Sequence, residues 1–500
     1  MKLTPELVLT CILVYFGLLL GIAWLTSRKS NANSYFLGNK VSPWLVVALG
    51  MLGDSMSGVT FISVPGQVYG QHLGYLQLVA GYFFGYIVIT QVLLPIYYKR
   101  NLTSIYSFLG DRLGLVSQKT GSFFFMVSRL VGAAARLFLT ASVIQYFIFD
   151  KWGVPFQATV AVIIGLILIY TIRGGIKTLV WTDLLQSMFL IAGVVLSLWA
   201  ICSQLNYGIG DLFKEVTTGP HSKFLFTNPL EKLFFGKQFI GGMFIAIAMT
   251  GLDQNMMQKN LSCRSLGDAK KNLTTYSIVM VLVNVVFVSM GVMLYVYLSK
   301  HGMDMPMKNG KTYTDGVYPL LALNSLGLFA GLAFIIGLSA ATFSSADSVL
   351  TTLTTSFYID FLDADNKPKY SDKQKLRMRS ITHMTFAMLL FVFILLFKEL
   401  NDDALINTIL RLANYTYGPL LGMFAFAILT NRKVKDVFVP LVCLAAPILC
   451  YTLEENSKQW FGGYEFGNEL LPLHGLLTFA MLWLISKVKT EKELAGDLSK

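Results

Sequence analysis

A chain of 500 residues that is 54% hydrophobic and only 14% charged cannot cover a water-facing surface, since globular soluble domains carry about a quarter of their residues as charged groups. The composition therefore excludes a soluble protein and points to an all-α polytopic membrane protein. The formal charge of +12 does not indicate nucleic acid, because the basic residues lie in short connectors between apolar runs, where they set topology and meet anionic headgroups. Cys11, Cys202, Cys263, Cys443 and Cys450 are scattered without metal-ligand spacing and imply neither a disulfide scaffold nor a zinc site.

About 20 apolar residues cross a bilayer. Runs of that kind fall near 5–27, 43–66, 72–98, 120–148, 155–172, 177–203, 238–258, 272–299, 318–358, 380–398, 405–430, 436–452 and 470–486, which predicts thirteen transmembrane helices. The first run has no small-residue cleavage pattern after it and reads as a retained helix. The stretch 318–358 is too long for one crossing, so a short external helix around Leu320 to Leu326 is expected before a span of about 329–357.

The span 43–66 is interrupted by Gly53, Asp54, Ser55, Ser57, Gly58, Thr60 and Ser63. Polar groups and freed carbonyls at mid-membrane need protein, water or an ion to satisfy them. The interruption is either a binding site or a close-packed hydroxyl face. The span 238–258 is broken in the same way by Thr250, Gly251, Asp253, Gln254, Asn255 and Gln258. Two broken helices five spans apart match a core of two inverted five-helix repeats, spans two to six and seven to eleven.

Alternate connectors carry the basic residues: Arg28, Lys29 and Lys40; Lys99, Arg100, Arg112 and Lys119; Arg173 and Lys177; Lys259, Arg264, Lys270 and Lys271; the cluster from Lys367 to Arg379; Arg432, Lys433 and Lys435; and the C-terminal lysines. The positive-inside rule puts that side in the cytoplasm, with the N-terminus outside and the C-terminus cytoplasmic. The longest opposite connector, about 204–237, is expected to be an external loop with short amphipathic pieces.

Between Ser339 and Ser348, Ala341, Ser344 and Ser345 fall on one helical face and offer a carbonyl and two hydroxyls to a hard cation. Asp347 and Ser348 turn to a neighbouring face. Asp183 follows Trp181 and Thr182 just inside a span, as a headgroup-level charge or as the partner of a cation or arginine. Arg129 and Arg136, seven residues apart, face a similar direction. They make a structural pair or hold a substrate carboxylate. Around Tyr417, Gly418 and Pro419 a bend is expected, as a gate or a fixed kink.

These residues carry a resemblance. Gly53 to Gly58 with Pro65 and Gly66, Leu102 to Tyr106, Tyr170 to Gly175 with Trp181, Thr182, Asp183 and Gln186, Asp253 and Gln254 with Gln258, Ala341 to Ser345, and Tyr417 to Gly422 resemble, in order, the motifs of the sodium/solute symporter family. The resemblance covers about residues 5 to 430. It implies a leucine-transporter-like fold: an extra helix at 5–27, a first inverted repeat at 43–203, a second at 238–430 and two further helices at 436–486, all in one membrane transport domain. It also implies symport by alternating access, driven by one or two Na+ ions, in the cell membrane, the inner membrane of a bacterium, with a monomer sufficient.

By motif position the resemblance implies one sodium site from Gly53, Met56, Ala341, Ser344 and Ser345, and a second from Asp183, Ser344 and Ser348 with Ser345 as a contributor. Gly53 stands where alanine is often found, a change that a carbonyl ligand survives. Asp347 stands where members vary, which leaves the stoichiometry open. The implied substrate contacts are Ser55, Ser57, Thr60, Phe61, Gln77, Gln254 and Tyr417. With Arg129 or Arg136 nearby they are more similar to the branch that handles sialic acid or other organic anions, while a neutral sugar, an amino acid or a vitamin stays open as substrate. A passive channel or a non-transporting sensor is the reading from other classes. The five histidines form no constellation for an enzyme.

Overall fold

The computed structural model describes residues 4–27, 32–308, 310–364, 367–400 and 415–488. It is helical, with two short two-stranded antiparallel ribbons among the described residues. Eight helices are long and apolar enough to cross a membrane, and two more crossings arise if each bent helix pair is one span. In chain order the helices used below are α1 (Pro5–Ser27), the bent pair α2 (Trp44–Ser55) and α3 (Gly58–Gln71), α4 (Tyr75–Lys99), α5 (Leu115–Ile144), α6 (Phe156–Ile172) and α7 (Gly174–Gln204). The second bent pair is α8 (Phe235–Gly251) and α9 (Gln254–Leu261), followed by α10 (Leu266–Lys300), α11 (Val317–Asn324), α12 (Leu328–Ser356), α13 (Asp372–Leu400), α14 (Tyr417–Leu429), α15 (Val439–Trp460) and α16 (Leu470–Leu484).

The two interrupted spans are bent, by 65° between α2 and α3 and by 64° between α8 and α9. Each break follows from local sequence. Met56 leaves the helix at φ −95°, ψ 82°, and Ser57 caps α3 by accepting the Thr60 amide. Asp253 caps α9 by accepting the Met256 amide at 3.2 Å. Between α6 and α7 the chain turns at Gly175, φ 53°. A Cβ there would lie 2.5 Å from the Tyr35 carbonyl oxygen, so only glycine fits. The short helix expected before 329 is α11, and the long connector 204–237 holds a helix at Ile209–Thr218. Of the bend expected near 411–422, residues 411–414 lie outside the described residues, and Pro419 falls in the first turn of α14, where a missing amide costs little.

α12 runs along α6 and α7 and touches α2, α3, α5 and α9. From Gly337 to Ser356 every one of its residues is buried. A helix with so many hydroxyls and a carboxylate, enclosed on all faces, can only sit at the centre of a bundle, where other polar groups satisfy it. The two bent pairs pack around that helix, and this places the polar interior at their breaks.

Candidate functional site

The last carbonyls of a helix have no intrahelical donor, so the end of α2 presents backbone oxygens at the break. The Ser345 hydroxyl lies 3.4 Å from the Asp54 carbonyl oxygen and 3.2 Å from that of Ala341. The broken helix and the hydroxyl face of α12 thus converge on one point. Gly53 makes this approach possible: its amide donates to Ser187 Oγ at 2.8 Å, and a Cβ on it would stand 2.8 Å from Ser187 Oγ and 3.1 Å from Ser344 Oγ. Ser344 in turn donates to Asp183 Oδ1 at 3.1 Å. Gly53, Asp54, Ala341, Ser344 and Ser345 are therefore brought together in a cluster of carbonyl and hydroxyl oxygens, and Met56 lies at the break beside it, where the helical path is interrupted.

Asp183 is fully buried and joins this cluster, and it is not alone there. Lys259 Nζ lies 2.6 Å from Asp183 Oδ2 and 3.0 Å from Asp54 Oδ2. Asn255, one turn before Lys259, donates to the same Asp54 oxygen at 2.6 Å. Lys259 was expected among the cytoplasmic connector charges. It is instead turned inward, 1% exposed, because the bend before α9 carries this short helix into the bundle. Asp347 accepts from Tyr170 at 2.7 Å and lies beside the Gln186 amide at 3.5 Å. Asp347 Oδ1, Ser348 Oγ and Asp54 Oδ1 are buried without a hydrogen-bond partner among the described residues, and buried polar atoms of that kind call for a partner.

On the other side of the break lies a cavity of about 200 Å³. Ser55, Ser57 and Thr60 from the first bent pair line one wall, and Arg129 and Arg136 of α5 another. Tyr75, Tyr82, Tyr86 and Tyr276 supply a phenol wall that sequence reading missed, because tyrosines in apolar spans carry no signal of direction. Ser55 Oγ and the Tyr276 hydroxyl are 2.5 Å apart.

The two arginines part company. Arg129 Nε is 2.6 Å from Asp253 Oδ2, which also accepts from Tyr417 at 3.3 Å. Arg136 is half-buried at the cavity and makes no ion pair or hydrogen bond with a described residue. Three expected substrate contacts lie elsewhere. Gln254 bridges the Thr103 carbonyl and the Ile105 amide, Gln77 bonds backbone at Leu233 and Phe226, and Phe61 packs among Phe287, Tyr318 and Phe334. Tyr417 lines a neighbouring cavity of about 260 Å³, which shares Ile245 and Met249 with the first.

Two bent helix pairs joined at a buried polar cluster, with a polar cavity against the first break, are the architecture of a membrane transporter. The chain belongs to the sodium:solute symporter family, whose model matches residues 35–436. It is similar to the sodium/sialic acid symporter SiaT of Proteus mirabilis (strain HI4320), 25% identical over 86% of this chain and 86% of that protein. It is also similar to the sodium-coupled monocarboxylate transporter 1 of Mus musculus, 26% identical over 80% of this chain and 65% of that protein. In fold it resembles the structure of a Na+-coupled sialic acid symporter in a substrate-bound outward-open state, with a TM-score of 0.81, 20% identity and coverage of 96% of this chain and 99% of the other.

Proposed function

We propose that this protein is a sodium-coupled symporter for a small organic anion, with sialic acid the first candidate and simpler monocarboxylates the second. The observation that carries this reading is Arg136: a guanidinium without a partner among the described residues, set against a cavity whose other arginine is already paired with Asp253. A cation in a low-dielectric cavity calls for an anion, and a planar guanidinium can take a carboxylate through two parallel hydrogen bonds. Ser55, Ser57 and Thr60 then face the hydroxyls or carbonyls of the solute. A neutral sugar, amino acid or vitamin would leave the Arg136 charge unmatched.

The coupling sodium sits across the break, held by carbonyls of Gly53, Met56 and Ala341 and by the hydroxyls of Ser344 and Ser345. The second site that Asp183, Ser344 and Ser348 would form, with Ser345 as a contributor, shares Ser344 with the first, and the Lys259 ammonium stands against its carboxylate, so the count is one or two ions. Transport by alternating access follows from two inverted repeats, 43–203 and 238–430, with 5–27 before them and 436–486 after, in thirteen crossings. The two bent pairs, similar in angle and five crossings apart, support that division. The N-terminus lies outside, the C-terminus in the cytoplasm of a bacterial inner membrane, and a monomer suffices. No step calls for an enzymatic centre.

The test is uptake of labelled sialic acid by the purified protein in sealed vesicles, with and without an inward sodium gradient. Neutral sugars and short monocarboxylates serve as competitors. Accumulation that needs the gradient and is blocked by carboxylates alone is expected. Equal uptake without sodium would refute the coupling, and competition by neutral sugars would refute the anion assignment.

A further inference from the structure

Lys259 is not explained by a symport site, and a buried lysine ammonium is costly unless its partners are built for it. Its two partners are Asp183 and Asp54, at 2.6 and 3.0 Å, each 1% exposed or less at the side chain. Asp183 also holds Ser344, a residue of the proposed sodium environment. From these contacts we infer that the Lys259 ammonium is a tethered cation that occupies the carboxylate a second sodium ion would use. Its presence sets how many sodium ions this chain binds. This rests on the sodium-coupled reading above.

The argument is one of competition for the same oxygen. A sodium ion bound by Asp183 needs the carboxylate lone pairs and a negative charge to offset its desolvation. The ammonium already supplies the compensating charge and takes one carboxylate oxygen, leaving Oδ1 to Ser344. Being covalently attached, it competes at a high effective concentration that no change in external sodium alters. Its position has a second effect. Lys259 lies on α9, Asp54 on α2 and Asp183 on α7, so one side chain joins both bent pairs to the span that follows the Gly175 turn. A free ion would leave with each transport cycle, whereas the ammonium stays.

The experiment counts sodium bound per protein, by equilibrium binding of radioactive sodium to the purified full chain. The chains compared are the wild type, Lys259→Met, Lys259→Arg, Asp183→Asn and the double variant Lys259→Met with Asp183→Asn. Lys259→Met is expected to bind one further sodium ion. Lys259→Arg, which keeps a cation, is expected to hold the wild-type count, and so is the double variant, which has lost the carboxylate as well. Asp183→Asn alone is also expected to leave the count unchanged, because its carboxylate is not available to sodium in the wild type. A merely structural lysine would lower expression or stability without moving the count. Should Lys259→Met fail to fold, Asp183→Asn decides: loss of a bound sodium in that variant overturns the inference, as does an unchanged count in a folded Lys259→Met. A wild type that binds no sodium at all would overturn the symport reading itself, a different and separately visible outcome.

Discussion

Replacing Arg136 by glutamine separates a solute anchor from a structural arginine, because its neighbour Arg129 supplies the control seven residues away. At an effective dielectric of about 20 and a separation of about 4 Å, a guanidinium and a carboxylate attract by about 4 kcal/mol. Part of that is returned as desolvation of the half-buried Arg136 and of the incoming solute. A net loss of about 2 to 3 kcal/mol corresponds to a rise in half-saturation of roughly 30-fold to 150-fold. Stability should barely change, since the substitution removes no ion pair among the described residues. Arg129→Gln is expected to do the reverse. It strips Asp253, 0% exposed, of its cation, and an uncompensated buried charge costs about 3 kcal/mol or more of folding stability. Initial uptake of labelled sialic acid in vesicles at fixed sodium, beside thermal unfolding in detergent, reads both effects. An unchanged half-saturation for Arg136→Gln would refute the anchor, as would an equal loss for the uncharged methyl ester of the substrate, which has no carboxylate to lose.

Alanine at both Ser344 and Ser345 should raise the sodium concentration for half-maximal uptake, each lost hydroxyl contributing about 1 kcal/mol; an unchanged sodium dependence in folded protein removes them from the site. Gly53→Ala places a Cβ 2.8 Å from Ser187 Oγ, which must rotate and give up its bond from the Gly53 amide. Sodium activation should weaken by several-fold, about the worth of one hydrogen bond, and Ser187→Ala alone, which removes the same bond without the added Cβ, should weaken it to the same extent. Single cysteines at Glu231 and Lys435, both exposed, test topology in a background without native cysteines: an impermeant thiol reagent added outside intact cells should label only the first, and the opposite pattern overturns the proposed orientation.

The bent spans were legible because glycine and hydroxyl residues inside an apolar run have one physical meaning whatever the tertiary context: backbone groups must find other partners. The hydroxyl face of α12 was legible for the same reason, three and four residues being the spacing of one helical side. Lys259 was not. A lysine at the end of an apolar run looks like any topology signal, and only a turn of 64° before α9 points it inward. The usable signal was Asn255 one turn earlier, which reaches the same Asp54 oxygen. Arg129 and Arg136 were indistinguishable in one dimension, since what parts them is Asp253, 124 residues from Arg129. Gln77 and Gln254 misled as candidate contacts because a buried amide side chain can serve backbone groups of a loop as readily as a solute.

The placement of the two proposed ligands bears on how their binding is linked. The sodium oxygens of Gly53 and Met56 and the solute-facing hydroxyls of Ser55 and Ser57 alternate along one five-residue stretch, and the helical path is interrupted at Met56 within it. Fixing the backbone of one residue costs about 1 to 2 kcal/mol. Whichever ligand arrives first orders that stretch, and the second binds without meeting the same cost. The resulting coupling, about 1 to 3 kcal/mol, is reciprocal by linkage: sodium must tighten the solute by the factor by which the solute tightens sodium. Contacts at a shared break thus couple the two without a long path between separate sites. The Arg129 to Asp253 and Lys259 to Asp54 ion pairs, which join the second bent pair to α5 and to the first, hold the frame against which that short stretch closes.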